Sequence, residues 1–192
     1  MNTARLDQVL DATYECLTRY GVHRITMDDI ATAADMSRSA LYQYVRNKDD
    51  AVRRVAQRLH DRALERAAAA ASDPATSTQR RIHGVLQAKL DLVLELAGDS
   101  PHTGALLDSK AKLYGDICIS FTDRVRELLV ELFTNAVITN AGSVTLAPRD
   151  AAEICVALAV GLESTPDCVR LSPAALDLLT SALLPQSTEA PV

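Results

Sequence analysis

Residues 37–44 (SRSALYQY) bring together side chains that can hydrogen-bond to both the bases and the phosphates of a nucleic acid. Arg38 can donate to a guanine edge or to a phosphate, and Gln43 can pair with adenine. Tyrosine and threonine hydroxyls and a lysine ammonium suit phosphate oxygens. The candidate contact set therefore contains seven residues: Thr26, Arg38, Ser39, Tyr42, Gln43, Tyr44 and Lys48.

Two short helices joined by a tight turn must position these residues. Thr26 is a good N-cap for the first helix, which carries two aspartates in its first turn, where they suit the helix dipole. A break at residues 35–36 follows, and Ser37 caps a second short helix predicted over residues 38–45. Lys48 then opens a long helix. This layout is typical of a helix-turn-helix, whose second helix enters the major groove of DNA.

Residues 9–52 resemble the tetracycline-repressor (TetR) family of transcriptional regulators. The resemblance is carried by five pieces in a fixed order and spacing: VLDATYECL from Val9, Gly21, TMDDIA from Thr26, SRSALYQY from Ser37 and NKD from Asn47. It implies that Ile30 and Leu41 are core residues. It also implies DNA contact for six of the candidate residues: Thr26, Arg38, Ser39, Tyr42, Tyr44 and Lys48.

The resemblance implies an all-α fold with two domains. A helix-turn-helix DNA-binding domain, a head of three helices, is expected over residues 1–50, and a helical effector-binding and dimerisation domain over residues 51–192. Hydrophobic periodicity and breaks predict about nine helices in all. The remaining predicted helices lie at about residues 5–20 (ended by Gly21), 48–71, 78–97, 102–113, 115–139, 148–162 (with Pro148 in the first turn) and 173–184 (with Ser172 as N-cap and Pro173 in the first turn).

Composition agrees with a helical protein and sets limits on its location. Hydrophobic residues make up 48% of the 192 residues and aromatic residues 4%, so the core must be built from aliphatic side chains. The net charge is −5, and it lies in the C-terminal part, because residues 1–66 carry 11 basic and 10 acidic side chains. DNA binding requires a local basic face rather than a basic whole. We find no signal peptide and no apolar stretch long enough to span a membrane, so we expect a cytoplasmic protein.

The last two predicted helices are unusually apolar. Residues 152–161 (AEICVALAVG) are apolar almost throughout, and the last helix adds Ala174, Leu176, Leu178, Leu179 and Leu183. A helix that is apolar nearly all round must be covered on more than one side. The resemblance implies that these helices pair with their copies across a two-fold axis in a four-helix bundle, as a homodimer on a palindromic DNA site. Packing within one chain alone is the alternative.

The resemblance implies that the middle helices hold an effector. The candidate residues are Leu86, Leu90, Leu106, Lys110, Tyr114, Ile117, Cys118, Phe121 and Cys155, although most of these types are more often core than ligand contacts. Lys110 and Tyr114 are one turn apart and offer a polar handle in an apolar cavity. With few aromatic residues, the cavity suits a small or flexible apolar ligand. The four histidines lack ligand spacing, and we expect no metal and no cofactor. The four cysteines are read as buried apolar residues, with redox sensing as the alternative.

Three functions remain open from the sequence. The first is a ligand-responsive repressor, whose homodimer binds a palindromic operator in double-stranded DNA and is released by an unknown small molecule. The second is an architectural helix-turn-helix protein that binds DNA without an effector. The third, the least supported, is a helical enzyme, because no nucleophile with a base and no phosphate-binding loop is found.

Overall fold

The computed structural model describes residues 3–97, 113–138, 146–165 and 167–183. These residues form eight helices and no strand. The helices are α1 (Thr3–Tyr20), α2 (Met27–Ala33), α3 (Arg38–Leu41), α4 (Lys48–Ser72), α5 (Thr78–Ala97), α6 (Gly115–Ile138), α7 (Pro148–Glu163) and α8 (Cys168–Leu183). The all-α fold is confirmed. The helix predicted at residues 102–113 lies almost entirely outside the described residues.

Local signals end α1 and begin α2 where the sequence predicts. Gly21 adopts a φ of 77°, which costs a glycine little, and its N–H donates to the carbonyl of Leu17. Thr26 and Asp29 form a reciprocal capping box at the start of α2, in which the Asp29 N–H donates to Thr26 Oγ1 over 3.2 Å and the Thr26 N–H donates to Asp29 Oδ2 over 2.8 Å. Two otherwise unpaired N–H groups are thereby satisfied.

The turn between α2 and α3 is closed by backbone bonds. The Met36 N–H donates to the carbonyl of Ala31 and the Asp35 N–H to that of Thr32, which is the Schellman pattern. Asp35 occupies the left-handed position of this turn with a φ of 50°. Aspartate is among the few residues other than glycine that tolerate it. The turn therefore fixes the direction in which α3 leaves α2.

α3 is shorter than the sequence predicts. Ser37 caps it as expected, since Ser37 Oγ accepts from the Ala40 N–H over 3.2 Å. The helix ends at Leu41 rather than at Val45, because the N–H groups of Gln43 and Tyr44 bond three residues back and tighten the chain into a turn.

The start of α8 corrects a prediction. Ser172 and Pro173 do not begin this helix, which starts at Cys168, and Pro173 lies inside it. The N–H groups of Arg170 and Leu171 already bond to the carbonyl of Asp167, so a full turn precedes the proline. Ser172 is buried and donates its hydroxyl to the carbonyl of Cys168 over 2.6 Å instead of capping. The serine–proline pair resembles a helix start but here follows one.

The chain forms two compact units. One comprises Met1–Asp61 and Leu94–Ile119, and the other comprises Arg62–Val93 and Ser120–Val192. We call them the N-terminal unit and the C-terminal unit. The core of the N-terminal unit includes Val9, Ile25, Ile30, Leu41 and Val45, and that of the C-terminal unit includes Ile82, Leu86, Leu90, Leu129, Phe133 and Leu176. The boundary predicted at residue 50 separates two functional domains rather than these two compact units, and it stays a prediction. Across the described residues, no helix is long and apolar enough to cross a membrane.

A buried ion pair lies in the C-terminal unit. Lys89 on α5 donates to Glu163 Oε1 on α7 over 2.6 Å, and the two side chains are only 4% and 11% exposed. The Lys89 ammonium also lies 5.7 Å from the centre of the Phe121 ring. Removing one member of such a pair leaves an uncompensated charge in a low-dielectric environment.

We predict that Glu163→Gln lowers the free energy of unfolding by about 3 kcal/mol, because it strands the Lys89 ammonium. The matched control is Glu127→Gln, which removes the partner of Arg124 in a pair whose side chains are 64% and 63% exposed. We expect the control to cost less than about 1 kcal/mol. Urea unfolding followed by circular dichroism measures both, and equal losses would contradict the prediction.

Candidate nucleic-acid interface

The seven candidate residues occupy α3, the turn after it and the starts of α2 and α4. Five of them are exposed, namely Thr26, Arg38, Ser39, Tyr42 and Gln43, whereas Tyr44 and Lys48 are half-buried. Leu41 and Val45 are buried and hold the opposite side of the same segment. Burial of Leu41 and Val45 in the core thus turns the exposed candidate side chains of this segment towards solvent.

Arg38 is the most constrained of the exposed side chains. Its Nη1 donates to both carboxylate oxygens of Asp28, over 3.0 and 2.9 Å. Its Nη2 donates to the hydroxyl of Tyr42 over 3.3 Å, and the guanidinium carbon lies 5.8 Å from the centre of the Tyr42 ring. The hydrogen bond to Tyr42 and the charge of Asp28 raise the pKa of Arg38. The guanidinium is therefore held as a fixed, charged donor plane.

The hydroxyl of Thr26 is already engaged. It donates to Asp29 Oδ2 over 2.7 Å while accepting from the Asp29 N–H. The hydrogen bonds from Thr26 lower the pKa of the Asp29 carboxyl. A phosphate would have to replace Asp29 as the acceptor for this hydroxyl, so contact by Thr26 requires an exchange of partners.

The other candidates differ in their freedom. Ser39 Oγ lies 3.0 Å from Ser37 Oγ, and Lys48 Nζ donates to the carbonyl of His23 over 3.5 Å. Gln43 is exposed, and the amide end of such a side chain can present both a donor and an acceptor to an adenine edge. The first turn of α4 is capped by Asn47, whose Oδ1 accepts from the Asp50 N–H.

The contact of Asp28 with Arg38 was not predicted from the sequence. The position of Asp28 in the first turn of α2 was explained by the helix dipole alone, whereas in the structure it also binds Arg38. The two residues are ten positions apart and on different helices. The one signal in the sequence is that an acidic residue precedes the predicted turn and a basic residue follows it.

Comparison with known proteins agrees with this geometry. Residues 9–55 match the family model described as bacterial regulatory proteins of the tetR family. This segment contains α2, α3 and the whole candidate contact set. Residues 9–55 therefore carry a helix-turn-helix similar to that of this family of regulatory proteins.

Several solved structures share the fold along most of the chain. The fatty acid degradation regulator FadR from Bacillus halodurans has 20% identity and a TM-score of 0.69, over 97% of this chain and 100% of that one. The FadR of Bacillus subtilis, in complex with stearoyl-CoA, has 21% identity and a TM-score of 0.64, over 91% and 97%. AibR, in complex with isovaleryl coenzyme A and operator DNA, has 19% identity and a TM-score of 0.61, over 95% and 100%. No curated protein matches the sequence.

The predicted effector residues fall into both units. Tyr114, Ile117 and Cys118 belong to the N-terminal unit. The other described candidates belong to the C-terminal unit and are buried: Leu86, Leu90, Phe121 and Cys155. Leu106 and Lys110 lie outside the described residues, so the predicted Lys110–Tyr114 handle stays a prediction. Burial is what either a pocket lining or a plain core requires.

The four cysteines have unequal surroundings. Cys16, Cys155 and Cys168 are buried, and Cys118 is half-exposed. Burial raises the pKa of Cys16, and it raises that of Cys155 to about 12. Cys118 Sγ lies 3.3 Å from His60 Nε2, while His60 Nδ1 lies 2.7 Å from the carbonyl of Ala56. A backbone carbonyl at Nδ1 favours the tautomer with its proton there, which leaves Nε2 to accept from the thiol.

We predict that Arg38→Ala removes selectivity at one base pair of each half-site. A bidentate arginine–guanine contact discriminates by about 1–3 kcal/mol, which is about tenfold or more in affinity. The control is Arg80→Ala, which removes the same charge from an exposed position on α5 in the C-terminal unit. Binding of each variant to operator duplexes with single base changes is measured by fluorescence anisotropy. The same selectivity loss in both variants would contradict the assignment.

We predict that Cys118 reacts first with N-ethylmaleimide in the folded protein. The thiolate is the reactive form, and a pKa of about 12 keeps Cys155 protonated at pH 8. Peptide mass spectrometry at successive times gives the rate at each cysteine, with the three buried thiols as internal controls. After denaturation we expect all four to react. Faster labelling of Cys16 or Cys155 in the folded state would show that this burial pattern is wrong.

Proposed function

We propose that this chain is a ligand-responsive transcriptional repressor. It binds a palindromic operator as a homodimer and leaves the operator when a small molecule binds. The observation that carries the proposal is the second helix of the motif. Ser37 caps this helix, Leu41 and Val45 pack the helix and the turn after it, and the same segment presents Arg38, Tyr42 and Gln43 to solvent. These are side chains that donate to base edges and phosphates.

The C-terminal helices support a dimer. Ile154 and Val160 on α7 are 43% and 44% exposed, and Leu178 on α8 is 74% exposed. Large apolar side chains on neighbouring helices favour burial against a partner. A two-fold interface presents the same surface twice and matches the symmetry of a palindromic site. The last two helices are thus the proposed dimer surface.

We predict that Leu178→Glu weakens the dimer and reduces operator affinity with it. A buried carboxylate at the interface would be desolvated without a partner. The matched control is Ile119→Glu on α6, because Ile119 is also largely exposed, at 66%, but lies on neither α7 nor α8. Sedimentation velocity gives the oligomeric state of each variant. A Leu178→Glu protein that remains as dimeric as the control would contradict the proposed surface.

The proposed route from effector to DNA runs through α4 and α6. α4 begins at Lys48, a few residues after α3, so its first turns are tied to the recognition segment. Arg53 on α4 donates to both carboxylate oxygens of Asp116, at the start of α6, and to the carbonyl of Leu113. The bond from Arg53 lowers the pKa of Asp116 to about 2. A shift of α6 would therefore act on α4 directly, and effector and DNA affinities would be linked reciprocally.

Acyl-CoA esters are the first effector probes to test. Stearoyl-CoA and isovaleryl coenzyme A are bound in structures of the proteins with which this chain shares its fold. Their acyl groups are flexible and apolar. The protein has few aromatic residues, which favours a ligand of this kind over a flat aromatic one.

The deciding experiment begins with selection of bound sites from random duplex DNA. We expect an enriched palindrome whose affinity falls steeply with salt. Stearoyl-CoA and isovaleryl coenzyme A are then titrated into the operator complex, with free coenzyme A as the matched control. Release by an ester, and not by coenzyme A alone, supports the proposal. An absence of any enriched sequence would refute sequence-specific regulation.

A regulator without an effector is the second candidate. Leu86, Leu90 and Cys155 are fully buried, as side chains that fill a core would be. In that case the palindrome is still selected, but the complex does not respond to acyl-CoA esters or to a wider set of small molecules. A thermal shift of the free protein by any of these compounds would argue against this candidate.

A further inference from the structure

We propose that Asp28 is a positioning residue that directs Arg38 towards a base edge and away from the phosphates. The inference rests on the proposed function, because it requires that Arg38 reads the operator. Asp28 would then be a determinant of specificity that carries a negative charge. A negative charge is unexpected on a surface that binds DNA, because it repels phosphates.

The geometry of the pair is the first argument. One guanidinium nitrogen, Nη1, holds both oxygens of Asp28, and a second, Nη2, bonds to the Tyr42 hydroxyl. The guanidinium is therefore fixed from two sides, by a residue of α2 and by a residue in the turn after α3. Fixing a long side chain before binding removes part of the conformational entropy that recognition would otherwise cost.

The donors that remain are the second argument. A guanidinium carries five N–H groups in one plane. Among the described residues, none accepts a hydrogen bond from Nε of Arg38, and Nη2 has more hydrogens than its single bond to Tyr42 uses. Nε–H and the second hydrogen of Nη2 therefore remain as donors for O6 and N7 of a guanine while Asp28 stays bonded to Nη1.

The exposure of the pair is the third argument. The side chains of Arg38 and Asp28 are 56% and 65% exposed. Exposed ion pairs contribute little to stability, so holding the head together does not explain this carboxylate. Its charge repels phosphates and weakens binding to every DNA sequence. Asp28 would increase discrimination between the operator and other DNA sequences. An arginine already paired with a carboxylate gains less from a phosphate than a free arginine does.

The test compares Asp28→Asn with Asp35→Asn. Asp35 is also exposed and also lies in the helix-turn-helix, and asparagine tolerates its positive φ, so the control removes the same charge without touching Arg38. Affinities for the selected operator and for a random-sequence duplex are measured at several salt concentrations. For Asp28→Asn we expect the ratio of operator to random affinity to fall about tenfold. We also expect the salt slope on random DNA to steepen by about one unit, as Arg38 gains a phosphate.

The outcomes separate this inference from the proposed function. If Arg38→Ala keeps full operator selectivity, the reading of the operator by Arg38 is wrong. If Arg38→Ala loses selectivity but Asp28→Asn keeps the wild-type ratio, or changes it no more than Asp35→Asn does, the role of Asp28 is wrong. The double variant Arg38→Ala with Asp28→Asn should have the ratio of Arg38→Ala alone. A lower melting temperature of Asp28→Asn with an unchanged ratio would show a structural role only and overturn the proposal.

Discussion

α3, the second helix of the helix-turn-helix, is not stable on its own. α3 has four residues, and a helix of that length is unstable in water without tertiary contacts. Its position depends on the packing of Leu41 and Val45, which are 0% and 1% exposed, and on the Ser37 cap at its start. The Schellman turn before it, closed by bonds to Ala31 and Thr32, sets its direction. The exposure of the candidate contact residues in this segment is a consequence of how the segment is anchored.

The same anchoring leaves two polar side chains of this surface, Arg38 and Thr26, already paired. Arg38 is bonded to Asp28, and the Thr26 hydroxyl to Asp29. A phosphate would then have to replace Asp29 at the Thr26 hydroxyl, whereas Arg38 can keep its bond to Asp28 and use its remaining N–H groups. Net affinity from an exchange of partners is smaller than a count of contacts suggests, because the new hydrogen bond replaces one that already exists. The nearly neutral charge of residues 1–66 agrees with a surface of this kind.

Signals confined to a few neighbouring residues could be read from the sequence. The cap at Thr26, the cap at Ser37, the left-handed glycine at position 21 and the proline at the start of α7 all stand where the pattern puts them. The same kind of signal failed at Pro173, because a serine–proline pair looks alike before a helix and one turn inside it. Boundaries therefore depend on hydrogen bonds that precede the motif, which the pattern does not record.

Pairs between distant positions could not be read. Arg53 meets Asp116 and Lys89 meets Glu163 across more than sixty residues, and each chain segment offers several other residues of the right charge. The two ion pairs nevertheless differ in their exposure to solvent, and so in what breaking them would cost. The Lys89–Glu163 pair is 4% and 11% exposed, so breaking it leaves a charge without water, and it fixes α5 to α7. The Arg53–Asp116 pair is 43% and 68% exposed, so water can replace either partner. A contact that must change when an effector binds has to be of the second kind, because only an exchangeable pair lets two arrangements of a helix differ by a few kcal/mol. For that reason the link between α4 and α6, rather than the buried pair, is where a switch in this chain would act.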